Sequence, residues 1–215
     1  MNRITTKSYG KGAKVVMILA HGAGAPMDSP FMDQLSADLA VQGIENLRFE
    51  FPYMVRRRED GRKRPPDRQP VLLAAFEDQV SRVRAELGND VRLLIGGKSM
   101  GGRMASLLAC EALTGIDGVV CYGYPFHPPG KLDRWRIAHL SEVKVPLLVV
   151  QGTRDPFGKP AELEAQGVIS GITRLAWLEG GDHDFQPTAR QPERQEDLIR
   201  QASAETRQFV DDMLG

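Results

Sequence analysis

Short runs of aliphatic and β-branched residues recur along the chain at 15–20, 44–51, 91–96, 116–122, 145–151 and 173–178. Such runs predict buried strands. Between most of them apolar residues fall at helical spacing: Phe31, Leu35 and Leu39, then Leu73, Phe76, Val80, Val83 and Leu87. Near the end Leu198, Ala202, Phe209 and Met213 mark the inward stripe of a last helix. The alternation predicts βαβ units and an α/β fold, with a mainly parallel sheet of about six to seven strands covered by helices on both faces. Helix ends agree: Ser29-Pro30 reads as an N-cap followed by proline at the first helical position, and Gly43 and Gly88 follow apolar-periodic stretches. The segment "RRREDGRKRPPDR", residues 56–68, has no apolar period and contains Pro65-Pro66, so it is expected to be a loop.

At 215 residues, 41% apolar and 26% charged, the chain can bury one sizeable core, and one domain over 1–215 is expected. The longest purely apolar run, 15–20, is far short of the roughly 20 residues that cross a bilayer. The first residues show no secretory signal, which makes a cytoplasmic location the default expectation. Twenty-eight basic residues balance twenty-eight acidic ones, so overall charge argues for neither a nucleic-acid nor a membrane partner. Cys110 and Cys121 sit in apolar sequence, which favours burial as small hydrophobes over pairing or metal ligation.

Residues 93–103, "LLIGGKSMGGR", contain both Gly-Lys-Ser and Gly-x-Ser-x-Gly. A phosphate-binding loop needs a further glycine, separated by four residues from its Gly-Lys-Ser, and that position is Arg92, inside a predicted strand. The phosphate-loop reading fails on this spacing. The alternative is a sharp strand-to-helix turn that presents Ser99, with a helix "RMASLLACEAL" (103–113) following. Small residues two positions before and after let strand and helix approach closely, and the helix N-terminus favours negative charge beside the serine Oγ.

A nucleophilic serine needs a base and an acid. The strand at 145–151 runs into "GTRDPFG", which places Asp155 at its C-terminal end, and the strand at 173–178 runs into "EGGDHDF", which places His183 at the same edge. The order Ser99, Asp155, His183 is that of an α/β-hydrolase triad. Asp155 before Pro156 could be only a turn former, and His183 a plain loop histidine. Among the other histidines His127 is the serious rival, ahead of His21 and His139, while Asp182 and Asp184 rank below Asp155 as the orienting acid. The oxyanion donors are expected from the N–H of Met100 and from the loop "HGAGAPMDSP", most simply Ala23, with Gly24 next. No metal site and no cofactor are expected, because 182–184, Asp-His-Asp, lacks further ligands nearby.

The stretches "HGAGAPMDSPFM", "RFEFPYM", "RPPDR", "GGKSMGGRMAS", "YGYPFHPPGK", "VQGTRDPFG" and "GGDHDF" together resemble an α/β-hydrolase family related to dienelactone hydrolases, over about residues 8 to 212. The branch that the chain resembles includes bacterial α/β family hydrolases, a testis-expressed animal protein and a subunit of a chromatin acetyltransferase complex. The resemblance implies the same triad, Ser99, Asp155 and His183. Against dienelactone hydrolases the nucleophile is serine rather than cysteine, which shifts expectation toward carboxylic esters or related small acyl compounds. The animal relatives look like interaction or scaffold proteins, so a hydrolase-fold binding protein is the competing expectation. Acyl transfer to an acceptor other than water is a third.

Two loops, 52–70 and 123–144, are expected to border the serine, and no segment is long enough for a large lid. Seven basic residues (Arg56, Arg57, Arg58, Arg62, Lys63, Arg64, Arg68) face three acids (Glu59, Asp60, Asp67) within 55–68 and could steer an anionic substrate, or could simply pair with their own acids. Arg56, Tyr124 and Phe126, with Trp135, are the expected pocket walls beside Gly24. Nucleic-acid binding is not expected, since no aromatic residues interleave the basic ones.

Overall fold

Among the described residues seven strands form one sheet in the order β1-β3-β2-β4-β5-β6-β7. They are β1 (Arg3–Thr5), β2 (Val15–Ala20), β3 (Glu45–Phe49), β4 (Arg92–Lys98), β5 (Gly118–Tyr122), β6 (Leu147–Gly152) and β7 (Arg174–Leu178). The structure, a computed structural model, describes residues 2–10, 12–111, 115–167 and 169–214. Only β1 runs antiparallel, against β3, and every other pairing is parallel. The six described α-helices are α1 (Pro30–Val41), α2 (Pro52–Asp60), α3 (Gln69–Leu87), α4 (Met100–Leu108), α5 (Pro160–Gln166) and α6 (Gln195–Leu214), with a 3-10 turn at Leu140–Glu142.

Alternation along each strand sorts the apolar residues into two cores. Val16, Ile18, Leu47, Phe49, Leu93 and Ile95 point to the face covered by α3 and α4, where Phe76, Val80 and Met104 meet them. Val15, Met17, Leu19, Leu94 and Val120 point to the opposite face, which α1 and α6 cover with Leu35, Leu39, Ile199 and Phe209. Strands β2, β5 and β6 thus read as nearly continuous apolar runs because both of their faces are buried. The chain leaves β2 toward β3 over one face and returns through α3 to β4 over the other. The crevice between the C-terminal ends of β2 and β4 is therefore the topological switch point where open α/β sheets bind ligands.

Three local expectations change. Residues 56–60 are helical, as the second half of α2. Pro52 starts that helix, Tyr53 and Met54 seat it on the core, and Gly61, at φ 69°, ends it, so two buried residues suffice to hold an otherwise charged helix. Residues 61–68 have no helix or strand, as the prolines require. The helix expected over 103–113 begins earlier, at Met100, and ends at Leu108, while residues 112–113 lie outside those described. Strand β1, of three residues, and helix α5, with Leu163 as its one buried residue, carry too few apolar positions to show in the pattern. No lid is inserted among the described residues.

Candidate active site

Strand β4 ends at Lys98 and α4 begins at Met100, so Ser99 must reverse the chain in a single residue. It does so with φ 51° and ψ −115°, a left-handed conformation rare for a side chain other than glycine. Close packing compels it: a Cβ at Gly97 or at Gly101 would overlap the Ala20 carbonyl oxygen, so strand β2 runs directly against both sides of the turn. The strain lifts the serine side chain clear of the sheet edge.

The loops after β6 and β7 bring two further side chains to that edge. His183 Nε2 lies 2.9 Å from Ser99 Oγ, and His183 Nδ1 lies 2.8 Å from Asp155 Oδ2. Asp155 is fully buried. Its Oδ2 also accepts from Gln151 Nε2 at 3.0 Å, and its Oδ1 accepts from the Phe157 N–H at 2.9 Å. A carboxylate facing donors on all sides fixes the proton on Nδ1 of the imidazole and leaves Nε2 to accept from the serine hydroxyl. The Phe157 ring lies against His183, centroids 4.4 Å apart, and limits its rotation.

A family model described as "Alpha/beta hydrolase domain" matches residues 13–211. The chain belongs to the alpha/beta hydrolase family. Among solved structures, this hydrolase-family chain is similar to Est1E from Butyrivibrio proteoclasticus (TM-score 0.70, 14% identity, 99% of this chain and 93% of that one), a structure also solved with ferulic acid bound. It is similar as well to the dienelactone hydrolase of Anabaena variabilis (TM-score 0.67, 21% identity, 90% and 85%). A third likeness is to the monoacylglycerol lipase of Paleococcus ferrophilus (TM-score 0.66, 16% identity, 96% and 98%). At these identities the likeness is one of fold, and it places the chain at a distance from dienelactone hydrolase and esterase-type members.

The alpha/beta hydrolase cleft beside Ser99 has a volume of about 330 Å³ and is lined by Ala23 and Gly24, by Phe31 and Phe157, and by Lys98 and Asp184 among others. Ala23 thus lines the same cleft as the serine, and Met100, the next residue in the chain, opens α4. The loop after β2 is held from beneath. The Tyr53 hydroxyl donates its one proton to the Ala23 carbonyl at 2.9 Å, with the Gly22 carbonyl at 3.2 Å sharing it at longer range, and burial pushes that phenol upward so that it keeps its proton. His21 Nε2 accepts from the Phe51 N–H at 3.1 Å, which leaves Nδ1–H to donate to the Gly22 carbonyl at 2.7 Å. Full burial pushes the His21 imidazole down to about 4, so it stays neutral as a brace.

The remaining histidines are also tied into structure. His127 is buried between Glu162 and the Pro128 carbonyl, and His139 Nε2 meets Ser106 Oγ at 2.8 Å, burial drawing its imidazole down to about 4. Asp182 turns away from His183: its Oδ1 accepts from the Asp184 and Gln186 N–H groups and shapes the loop. Asp184 pairs with Lys98 at 3.2 Å. Lys98 is almost wholly buried and its ammonium sits 5.4 Å above the Phe31 ring, with burial pulling its pKa down.

None of the four expected walls, Arg56, Tyr124, Phe126 and Trp135, lines the cleft. Tyr124 and Phe126 are fully buried and meet edge-to-face with centroids 4.8 Å apart, and the Tyr124 hydroxyl donates to the Arg136 carbonyl. They belong to the core because the loop after β5 turns inward, and Trp135 packs on His127. Phe31 and Phe157 supply the aromatic walls instead. Arg56 is half exposed and paired with Asp67, and its neighbour Arg57 reaches the cleft rim. Gln151, Tyr53, Phe157 and Lys98 were not singled out from sequence. Phe157 and Lys98 could have been, since each lies within two residues of a candidate triad member. Among the described residues no three His, Cys, Asp or Glu side chains group as a metal site would, and no helix is long and apolar enough to cross a membrane.

Proposed function

We propose that the chain is a serine hydrolase that cleaves carboxylic esters or related small acyl compounds through an acyl-enzyme, residues 1–215 acting as one cytoplasmic domain without cofactor or metal. The supporting observation is the continuous chain of contacts from Ser99 Oγ through His183 to buried Asp155, at 2.9 and 2.8 Å. Ser99 Oγ attacks the acyl carbonyl as its proton passes to His183 Nε2. The negative charge on the carbonyl oxygen falls to the N–H groups of Met100 and Ala23, each such donor contributing about 100- to 1000-fold in rate. His183 then returns the proton to the departing alcohol, and the ester bond breaks to leave acyl-Ser99. Water, deprotonated by the same nitrogen, releases the acid and restores the serine.

The likeness to esterase and lipase structures agrees with this reading, and the cleft of about 330 Å³ suits a small or protruding acyl group. Kinship with the branch that holds a testis-expressed protein and an acetyltransferase-complex subunit is part of the same proposal.

The test is incubation with a neutral fluorophosphonate, read by intact mass. The wild type takes one adduct, Ser99→Ala takes none, and His183→Ala reacts at a rate lowered by orders of magnitude. A folded wild type that takes no adduct overturns the hydrolase reading in favour of a binding protein.

A further inference from the structure

The basic segment that borders the cleft is only half neutralised. Arg56 pairs with Asp67, Arg58 with Glu50 and Asp28, and Arg64 with Asp60. Among the described residues no carboxylate partners Arg57, Arg62, Lys63 or Arg68. Two of these four, Arg57 and Lys63, line one hollow of about 500 Å³ together with Arg64, Pro65, Ala23 and Gly24, and no acidic side chain lines it. Ala23 and Gly24 also line the Ser99 cleft, so the two spaces meet across the loop after β2.

Arg57 is anchored to that loop. Its Nη1 donates to the Gly24 carbonyl at 3.5 Å, and its place in α2 is set by Tyr53 and Met54 beneath the helix. One N–H of the guanidinium is occupied and the rest of the fork is free. Neighbouring carboxylates do not compete for it, because Asp60 and Asp67 already hold other arginines. Inside the cleft itself Lys98 is satisfied by Asp184, so the unspent positive charge lies on the rim, one loop away from the serine.

We propose that the substrate carries an anionic oxygen group, a carboxylate or a phosphate, in addition to its ester, and that Arg57 and Lys63 seat this group while the ester reaches Ser99. The inference rests on the serine-hydrolase reading for the identity of the reacting group, but the anion site is a separate claim. A planar guanidinium and a mobile ammonium on one concave surface match two oxygens of such a group. The low charge of the whole chain, twenty-eight against twenty-eight, makes the patch local rather than a general basic surface.

The experiment uses Ser99→Ala so that ligands stay intact, and measures affinity by calorimetry. One arm compares a half-ester of a dicarboxylic acid, the carboxylate on the acyl side, with its methyl-terminated counterpart. The other compares an ester whose alcohol carries a phosphate with its neutral counterpart. The anionic ligand of at least one arm binds about tenfold tighter or better, and adding Arg57→Gln with Lys63→Gln removes that preference. Adding Arg62→Gln with Arg68→Gln instead, which takes the same charge from outside the hollow, leaves it in place. Equal affinities in both arms, or a preference that survives loss of Arg57 and Lys63, overturn the anion site. Neutral fluorophosphonate labelling of the wild type reports on Ser99 independently, so failure of the anion site and failure of the hydrolase reading give different results.

Discussion

Replacing Asp155 by asparagine removes one charge and keeps the shape, which isolates what the carboxylate does for His183. Its two oxygens accept from three donors: His183 Nδ1 at 2.8 Å, Gln151 Nε2 at 3.0 Å and the Phe157 N–H at 2.9 Å. An amide has only one accepting end. Turned with its NH₂ toward Phe157, it sets donor against donor and leaves a backbone N–H unpaired. Turned the other way, it asks Nδ1 to accept, which moves the ring proton to Nε2 and leaves Ser99 without a base. In both orientations the imidazolium formed when Ser99 loses its proton has no counter-charge. At 2.8 Å and an effective dielectric of about 20 that attraction is about 6 kcal/mol, roughly four factors of ten in rate. Asp155→Asn is therefore expected to lower the fluorophosphonate labelling rate about 10,000-fold while circular dichroism stays native. A rate within tenfold of wild type refutes the reasoning, most clearly if Asp184→Asn or Asp182→Asn proves slower.

Two predictions concern stability. Gly97→Ala drives a Cβ into the Ala20 carbonyl, and separating β2 from β4 should cost at least about 3 kcal/mol, or roughly 6 to 12 °C of melting temperature. Gly24→Ala meets nothing within 4 Å and should melt with the wild type, so equal melting points for the two variants would sink the packing argument. For His21, the folded imidazole lies at about 4 against 6.5 in the unfolded chain, so the unfolded state takes up the proton first. Stability is full above 6.5 and falls by about 3 kcal/mol as pH drops toward 4. Urea unfolding across that window should be flatter for His21→Asn, and an unchanged slope counts against the neutral brace.

Much of the architecture was legible because burial on both faces writes strands as unbroken apolar runs. Ser99, Asp155 and His183 stood out for a similar reason: each follows such a run, and C-terminal strand ends converge on one edge. What failed to show depends on contacts distant in sequence. Tyr124 and Phe126 follow a strand just as His183 does, and only the inward turn of their loop, which the Tyr124–Arg136 bond closes, sends them to the core. The charge of residues 56–60 concealed a helix whose fit depends on Tyr53 reaching the Gly22 and Ala23 carbonyls, some thirty positions away. Gln151 lies within its strand, and its bearing on Asp155 needs the loop to fold back over four residues.

The long separation of Ser99 from His183, 84 residues, has a consequence in time. Chains are made from the N-terminus at about 5–20 residues per second, so the elbow exists on the order of ten seconds before the proposed base, His183, has been synthesised. Strands β6 and β7, which carry the acid and histidine loops, are also the last to join the sheet in chain order. On the proposed triad, a nascent chain would be inert toward acyl compounds even when its first strands have paired, and reactivity would switch on only when the far edge of the sheet closes. If Ser99 is labelled as proposed, that labelling would double as a reporter of completed folding.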